Sequence, residues 1–137
     1  MKLVSACLIG INCKYNGKNN TDKKILKLAE KETLIPVCPE QLGGLPTPRI
    51  PTEIRGGRAI NKEGLDVTDY LEKGANEVLK IARMYGISEA ILKQRSPSCG
   101  CGRIYNGNFS SVVIKGDGIT ARLLKENGIK VISEEDI

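Results

Sequence analysis

The stretch TDYLEKGANEVLKIARMYGISEAIL, residues 68–92, joins two patterns of different period. Leu71, Ala75, Val78, Ala82 and Tyr85 recur at spacings of three and four, which predicts a helix over 68–85 with one apolar face. Thr68 or Asp69 stands ready to cap its start, and Gly86 to take the left-handed conformation past its end. Ala90-Ile91-Leu92 then reads as a short buried strand. Helix passing directly into buried strand is the unit from which parallel sheets are built.

The same alternation continues in both directions. Leu3 to Cys7 is a first strand, and a helix follows from Thr21 or Asp22 with Ile25, Leu28 and Ala29 on its inner face. Leu34 to Cys38 is a second strand, whose Pro36 suits an edge position because proline cannot donate to a ladder. Residues 39–67, rich in Gly and Pro, read as a long connection without regular structure, a length that points to function. Further on, Ile104 to Phe109 reads as a hairpin around a two-residue Asn106-Gly107 turn, which Val112-Val113-Ile114 extends. A last helix runs from Ile119 to Glu126, opened by Asp117 and closed by Gly128, before a final strand at Lys130-Val131-Ile132. The expected fold class is α/β: one open, mostly parallel sheet with helices on both faces, a Rossmann-like three-layer arrangement, plus a small β-hairpin. A single domain over residues 1–137 is expected.

Composition narrows the function. Hydrophobic residues make up 40% and charged residues 27%, as in ordinary globular chains. No run approaches the roughly 20 apolar residues needed to cross a bilayer, and MKLVSACLIG reads as a strand rather than a signal peptide. A cytoplasmic protein without a membrane partner is expected. The net charge is +5, but the basic residues are scattered, and one Phe, four Tyr and no Trp supply few stacking surfaces. Nucleic acid is therefore not an expected partner, and the oligomeric state is open.

Five cysteines in a reducing compartment favour metal binding or thiol chemistry over disulfides. Histidine is absent, which removes the commonest general base, the Cys-His pair and every His-containing zinc site. In an open parallel sheet, ligands bind outside the carboxyl ends of the strands. Cys7 ends the first strand, Cys38 ends the second, and Cys99 lies in the loop after the third. Three thiols separated by 31 and 61 residues are thus delivered to one rim. They could hold an iron–sulfur cluster, leaving one iron open as a Lewis acid, or, with Cys101 as fourth ligand, the zinc of a non-enzymatic binding module. A metal-free enzyme with Cys99 as nucleophile is a third reading. Cys13 and Cys101 otherwise stand as spare thiols.

With histidine absent, Glu40 is the leading candidate for general acid or base. Gly43-Gly44 follows it, where backbone could approach a ligand. Ser96, beside Cys99, could position water or pass a proton, and Lys93 and Arg95 suit a negative group.

Several segments carry a family resemblance. They are VSACL (4–8) with CKY (13–15), PVCPEQLGGLPTPR (36–49), DVT (66–68), LKQRSPSCG (92–100), GRIYNG (102–107) and GDG (116–118). In this order, over nearly the whole chain, they resemble a bacterial and archaeal family long filed as a domain of unknown function, members of which are thiouracil desulfidases. The resemblance implies a [4Fe–4S] cluster on Cys7, Cys38 and Cys99 with one iron free of protein ligands, a cofactor readily lost in air. It implies a small thiolated base as substrate, 2-thiouracil or a related compound. Sulfur would be replaced by oxygen from water without net electron transfer, and Glu40 and Ser96 match positions suited to proton transfer. Lys14 and Asn16 stand where relatives often have Arg and Asp, and Cys101 where many have a small residue without a thiol.

Overall fold

The computed structural model describes residues 1–137. Four parallel strands form the main sheet in the order β2-β1-β5-β8: β1 is Lys2–Ser5, β2 Leu34–Val37, β5 Glu89–Leu92 and β8 Lys130–Ser133. Side chains alternate across it, as the two-residue strand period requires. Leu3, Ala90, Leu92 and Val131 pack on one face against Val78, Leu79 and Ala82 of α3 (Thr68–Tyr85) and Ala121 and Leu124 of α4 (Ile119–Glu126). Val4 and Ile91 pack on the other, against Ile25 of α1 (Lys23–Ala29) and Leu8 of the 3-10 turn Ala6–Ile9. This is a three-layer α/β arrangement. Pro36 lies on the edge strand β2, as its missing N–H demands.

The helix over 68–85 forms with the expected bounds, and Gly86 takes the left-handed φ of 63° past its end. Its start is secured differently from expectation. Neither Thr68 nor Asp69 caps it; Thr68 N donates to Asp66 Oδ1 at 2.9 Å, and the Thr68 hydroxyl accepts from Ala59 N. Asp117 likewise does not cap α4, since it accepts from Gly102 N and pairs with Lys125. Asp22 caps α1, accepting from Lys24 N and Ile25 N.

Two connections differ from the sequence reading. Residues 39–67 contain a short helix, α2 (Pro39–Leu42), and an antiparallel hairpin, β3 (Thr52–Arg55) with β4 (Arg58–Asn61), turning through Gly56-Gly57. Its strands are only four residues long, too short for periodicity to stand out among the flanking prolines. The second difference is the hairpin after Cys99. Its strands are β6 (Arg103–Tyr105) and β7 (Val113–Lys115), joined by residues 106–112. Asn106-Gly107 is not a two-residue turn, because that turn needs positive φ at both positions and only Gly107 has it. Val113 and Ile114 are the partner strand rather than an extension. The broad loop lets Glu53 of β3 reach it, accepting at Oε1 from Gly107 N (3.0 Å) and Phe109 N (3.1 Å).

Gly43 and Gly74 have a packing role. A Cβ on Gly43 would overlap the Tyr70 carbonyl oxygen, and one on Gly74 the Pro39 carbonyl oxygen. Backbone therefore meets backbone where α2 crosses α3. The close approach expected at Gly43 is toward a helix, not a ligand.

Candidate active site

The carboxyl ends of β1, β2 and β5 open into a cavity of about 470 Å³. Cys7, Cys13, Cys38 and Cys99 all line it, together with Glu40, Arg49, Glu53, Ser96 and the aromatic side chains of Tyr15, Tyr105 and Phe109. Cys7 lies not in β1 but in the 3-10 turn that follows it, and Cys38 is the residue before α2. Cys99 is buried in the loop after β5. The three segments meet because their strands are neighbours in the parallel sheet.

Cys13 and Cys101 are not equivalent. Cys13 is 2% exposed and sits beside both Cys7 and Cys38, the Cys38 thiol donating to its backbone carbonyl at 3.7 Å. Cys101 lies outside the cavity, its thiol donating to the Val131 carbonyl at 3.3 Å. The set Cys7, Cys38, Cys99 and Cys101 needed for the zinc module is therefore not brought together. Nor do any three Cys, Asp or Glu side chains converge on a single ion-sized point.

Their surroundings differentiate the thiols. The Cys13 thiol beside Cys7 holds that group below its ordinary range, against the opposing effect of burial. Cys38 is lowered by the same neighbour, helped by the Gln41 backbone N–H and the Arg49 guanidinium. Cys13, caught between the two, is pushed up. Burial pushes the Cys99 thiol up, opposed by the Ser5 hydroxyl. Two thiols are thus drawn toward thiolate, while the buried one needs positive charge nearby to ionise.

Glu40 Oε1 is paired with Arg49 Nε at 3.2 Å. The Arg49 guanidinium also donates to the carbonyl of Cys13 (2.9 Å) and to the Thr47 hydroxyl (3.0 Å). Oε2 of Glu40 is left as a free acceptor. Ser96 Oγ accepts from Ser98 N and Cys99 N, both at 3.1 Å, so its lone pairs shape the turn that presents Cys99 and its proton remains available to donate. Lys93 is paired with Glu134 at 2.9 Å and Arg95 with Glu135 at 3.1 Å. The two cations expected for an anionic group are thus largely neutralised.

Arg95, Phe109 and Ser111 are the three non-glycine residues with left-handed backbone, at φ 68°, 53° and 61°. All three line the cavity, where strained backbone characteristically collects. The sequence reading did not single out Arg49, Glu53, Tyr105 or Phe109 as site residues. Arg49 and Glu53 lay in a segment read as irregular, and an aromatic residue alone carries no positional signal. That three of five aromatic residues face one cavity is visible only in the fold.

Comparison with known proteins finds relatives over the whole chain. The 2-thiouracil desulfurase family matches residues 3–136. YbbK, an uncharacterized protein of Bacillus subtilis (strain 168), is 46% identical, over 100% of this chain and 97% of its own length. The structure of TudS, a [4Fe-4S]-dependent thiouracil desulfidase, superposes with a TM-score of 0.93 at 42% identity, covering 99% of this chain and 91% of that one. The chain belongs to the 2-thiouracil desulfurase family.

Proposed function

We propose that this chain hydrolyses the carbon–sulfur bond of a thiocarbonyl nucleobase of the 2-thiouracil class, using a [4Fe–4S] cluster held by Cys7, Cys38 and Cys99. One water replaces sulfur at the carbon, the products are the oxo base and hydrogen sulfide, and no electrons are gained or lost overall. The observation that carries the reading is the meeting of these three thiols, from segments far apart in sequence, on the wall of one cavity.

The donor set fits such a group. Thiolates are its usual ligands, and three of them leave one iron open. Cys7 and Cys38 are already drawn toward thiolate, and the charge of iron would overcome the burial that keeps Cys99 protonated. When bound, the cluster supplies a Lewis-acidic iron for the substrate sulfur.

The chain's own groups do the rest. Glu40, fixed through Oε1 by Arg49, takes the proton of the attacking water at Oε2. Ser96 Oγ, its lone pairs engaged, donates its proton toward the departing sulfur or the ring. Tyr15, Tyr105 and Phe109 line the same cavity and offer aromatic surface to a flat ring.

Anaerobic reconstitution with ferrous iron and sulfide tests the reading. About four irons per chain and conversion of 2-thiouracil to uracil with equimolar sulfide support it. A colourless protein that takes up one zinc and turns over nothing rejects it.

A further inference from the structure

Resting on that reading, we infer that Phe109 is a substrate-contacting residue that selects for planar rings, and that Glu53 is the positioning residue that holds it in place. Phe109 is the one phenylalanine of the chain, and it lies half-buried on the cavity wall. Its φ of 53° is a conformation that bulky residues rarely adopt, and Ser111 two residues on has φ 61°. Such backbone persists only where the surroundings dictate it. Here they do: Glu53 Oε1 accepts from the backbone N–H groups of both Gly107 and Phe109, binding the loop to β3. The loop backbone is drawn so close that a Cβ on Gly107 would lie 2.6 Å from the Arg55 Cβ and 2.7 Å from the Ile54 carbonyl oxygen.

The Glu53 carboxylate makes no ion pair, and both its hydrogen bonds go to this loop. A lone-standing carboxylate whose bonds serve only to hold a strained segment over a cavity is suited to preorganising the segment. Together with Tyr105, Phe109 supplies aromatic surface to the cavity that the thiols also line. A flat heterocycle stacked on Phe109 would be held by a contact that leaves its thiocarbonyl edge free to face the thiols.

Kinetics of the reconstituted holoenzyme on 2-thiouracil, joined to hydrogen exchange at the amides of residues 107 and 109, tests both roles. Phe109→Ala should raise KM about tenfold with kcat within about twofold, Phe109→Tyr restoring it. Glu53→Ala should raise KM similarly and speed exchange at both amides, whereas Glu53→Gln, which keeps an acceptor oxygen, should recover most of both. Full iron content with an unchanged KM in Phe109→Ala overturns the contact. Unchanged exchange in Glu53→Ala overturns the clamp. Wild-type holoenzyme that carries the cluster yet leaves 2-thiouracil untouched would instead refute the proposed function itself, and the inference with it.

Discussion

Arg49 Nε stands 3.2 Å from Glu40 Oε1, and both side chains are shielded, Arg49 to 6% and Glu40 to 15% exposure. The same guanidinium reaches the carbonyl of Cys13. One arginine thus ties the loop after β1 to the segment after β2, and does so beside two of the thiols. Its fork geometry lets it address both partners at once, which a lysine ammonium cannot reproduce.

Removing this arginine leaves a carboxylate in a shielded site without its partner. Arg49→Ala should therefore destabilise the fold by about 3 kcal/mol, the range seen when one member of a buried pair is deleted. Arg49→Lys should lose less stability but still lower kcat, because the charge survives and the orientation of Glu40 does not. Urea unfolding of the iron-free proteins gives the first quantity and turnover of the holoenzymes the second. Equal stability in all three proteins would show that the pair is not structural.

The cysteines divide into two groups with different expected outcomes. Cys99→Ala should lose bound iron, since it removes the thiol that its loop places against the cavity, while Cys101→Ala should keep full iron content. Cys13→Ala should retain iron but bind it less tightly, because its thiol lies beside Cys7 and Cys38 and favours their ionised forms rather than replacing either. Iron and sulfide counts after anaerobic reconstitution and desalting decide the order. If Cys13→Ala is the variant that comes out iron-free and Cys7→Ala is not, the ligand set must be redrawn.

Much of this could be seen before the structure. Strong periodicity made the helix over 68–85 legible to the residue, and the alternation of strand and helix made the parallel sheet and its functional rim legible with it. That Cys7, Cys38 and Cys99 reach one cavity at the carboxyl ends of the strands followed from topology alone. What stayed hidden depends on contacts between segments distant in sequence. Glu53 matters only because residues 106–112 lie over β3, and Arg49 only because its reach spans two loops. Cys13 and Cys101 looked alike because nothing local distinguishes a thiol beside two others from one against a backbone carbonyl.

Gly74 connects the helix core to the active site. Its Cα hydrogen faces the Pro39 carbonyl, one residue from Cys38, in the crossing of α2 and α3. Alanine would favour the helix by about 1 kcal/mol in an exposed position. Here the added methyl meets fixed backbone, and the overlap decides the sign. Gly74→Ala should destabilise by about 2 kcal/mol net, in the range of overpacked cores, and should lower iron uptake by displacing α2. Gly57→Ala is the control for backbone strain without overlap, since nothing lies near its Cβ position but its φ of 77° costs alanine about 1 kcal/mol, and it should leave iron uptake unchanged. Thermal unfolding of both, with iron counts, separates packing from general loss of fold.

Acid should act on the fold through Asp66. The Arg58 guanidinium, bonded at 2.8 Å, and then Thr68 hold its carboxyl at about 2, below the ordinary value of 3.8. In the unfolded chain the group regains its ordinary affinity and so binds its proton at higher pH than in the folded state. Between about pH 4 and pH 2 the unfolded state therefore carries more protons, and stability falls as the solution is acidified through that window. Above it the contribution is complete and constant. Asp66→Asn keeps an oxygen for Thr68 N but cannot titrate, so its stability should fall less steeply over the same interval. Because the pair is exposed, added salt should narrow the difference between the two proteins. Urea midpoints measured from pH 5 down to pH 2.5 at low and high salt check this, and parallel pH profiles for Asp66→Asn and the parent chain would count against it.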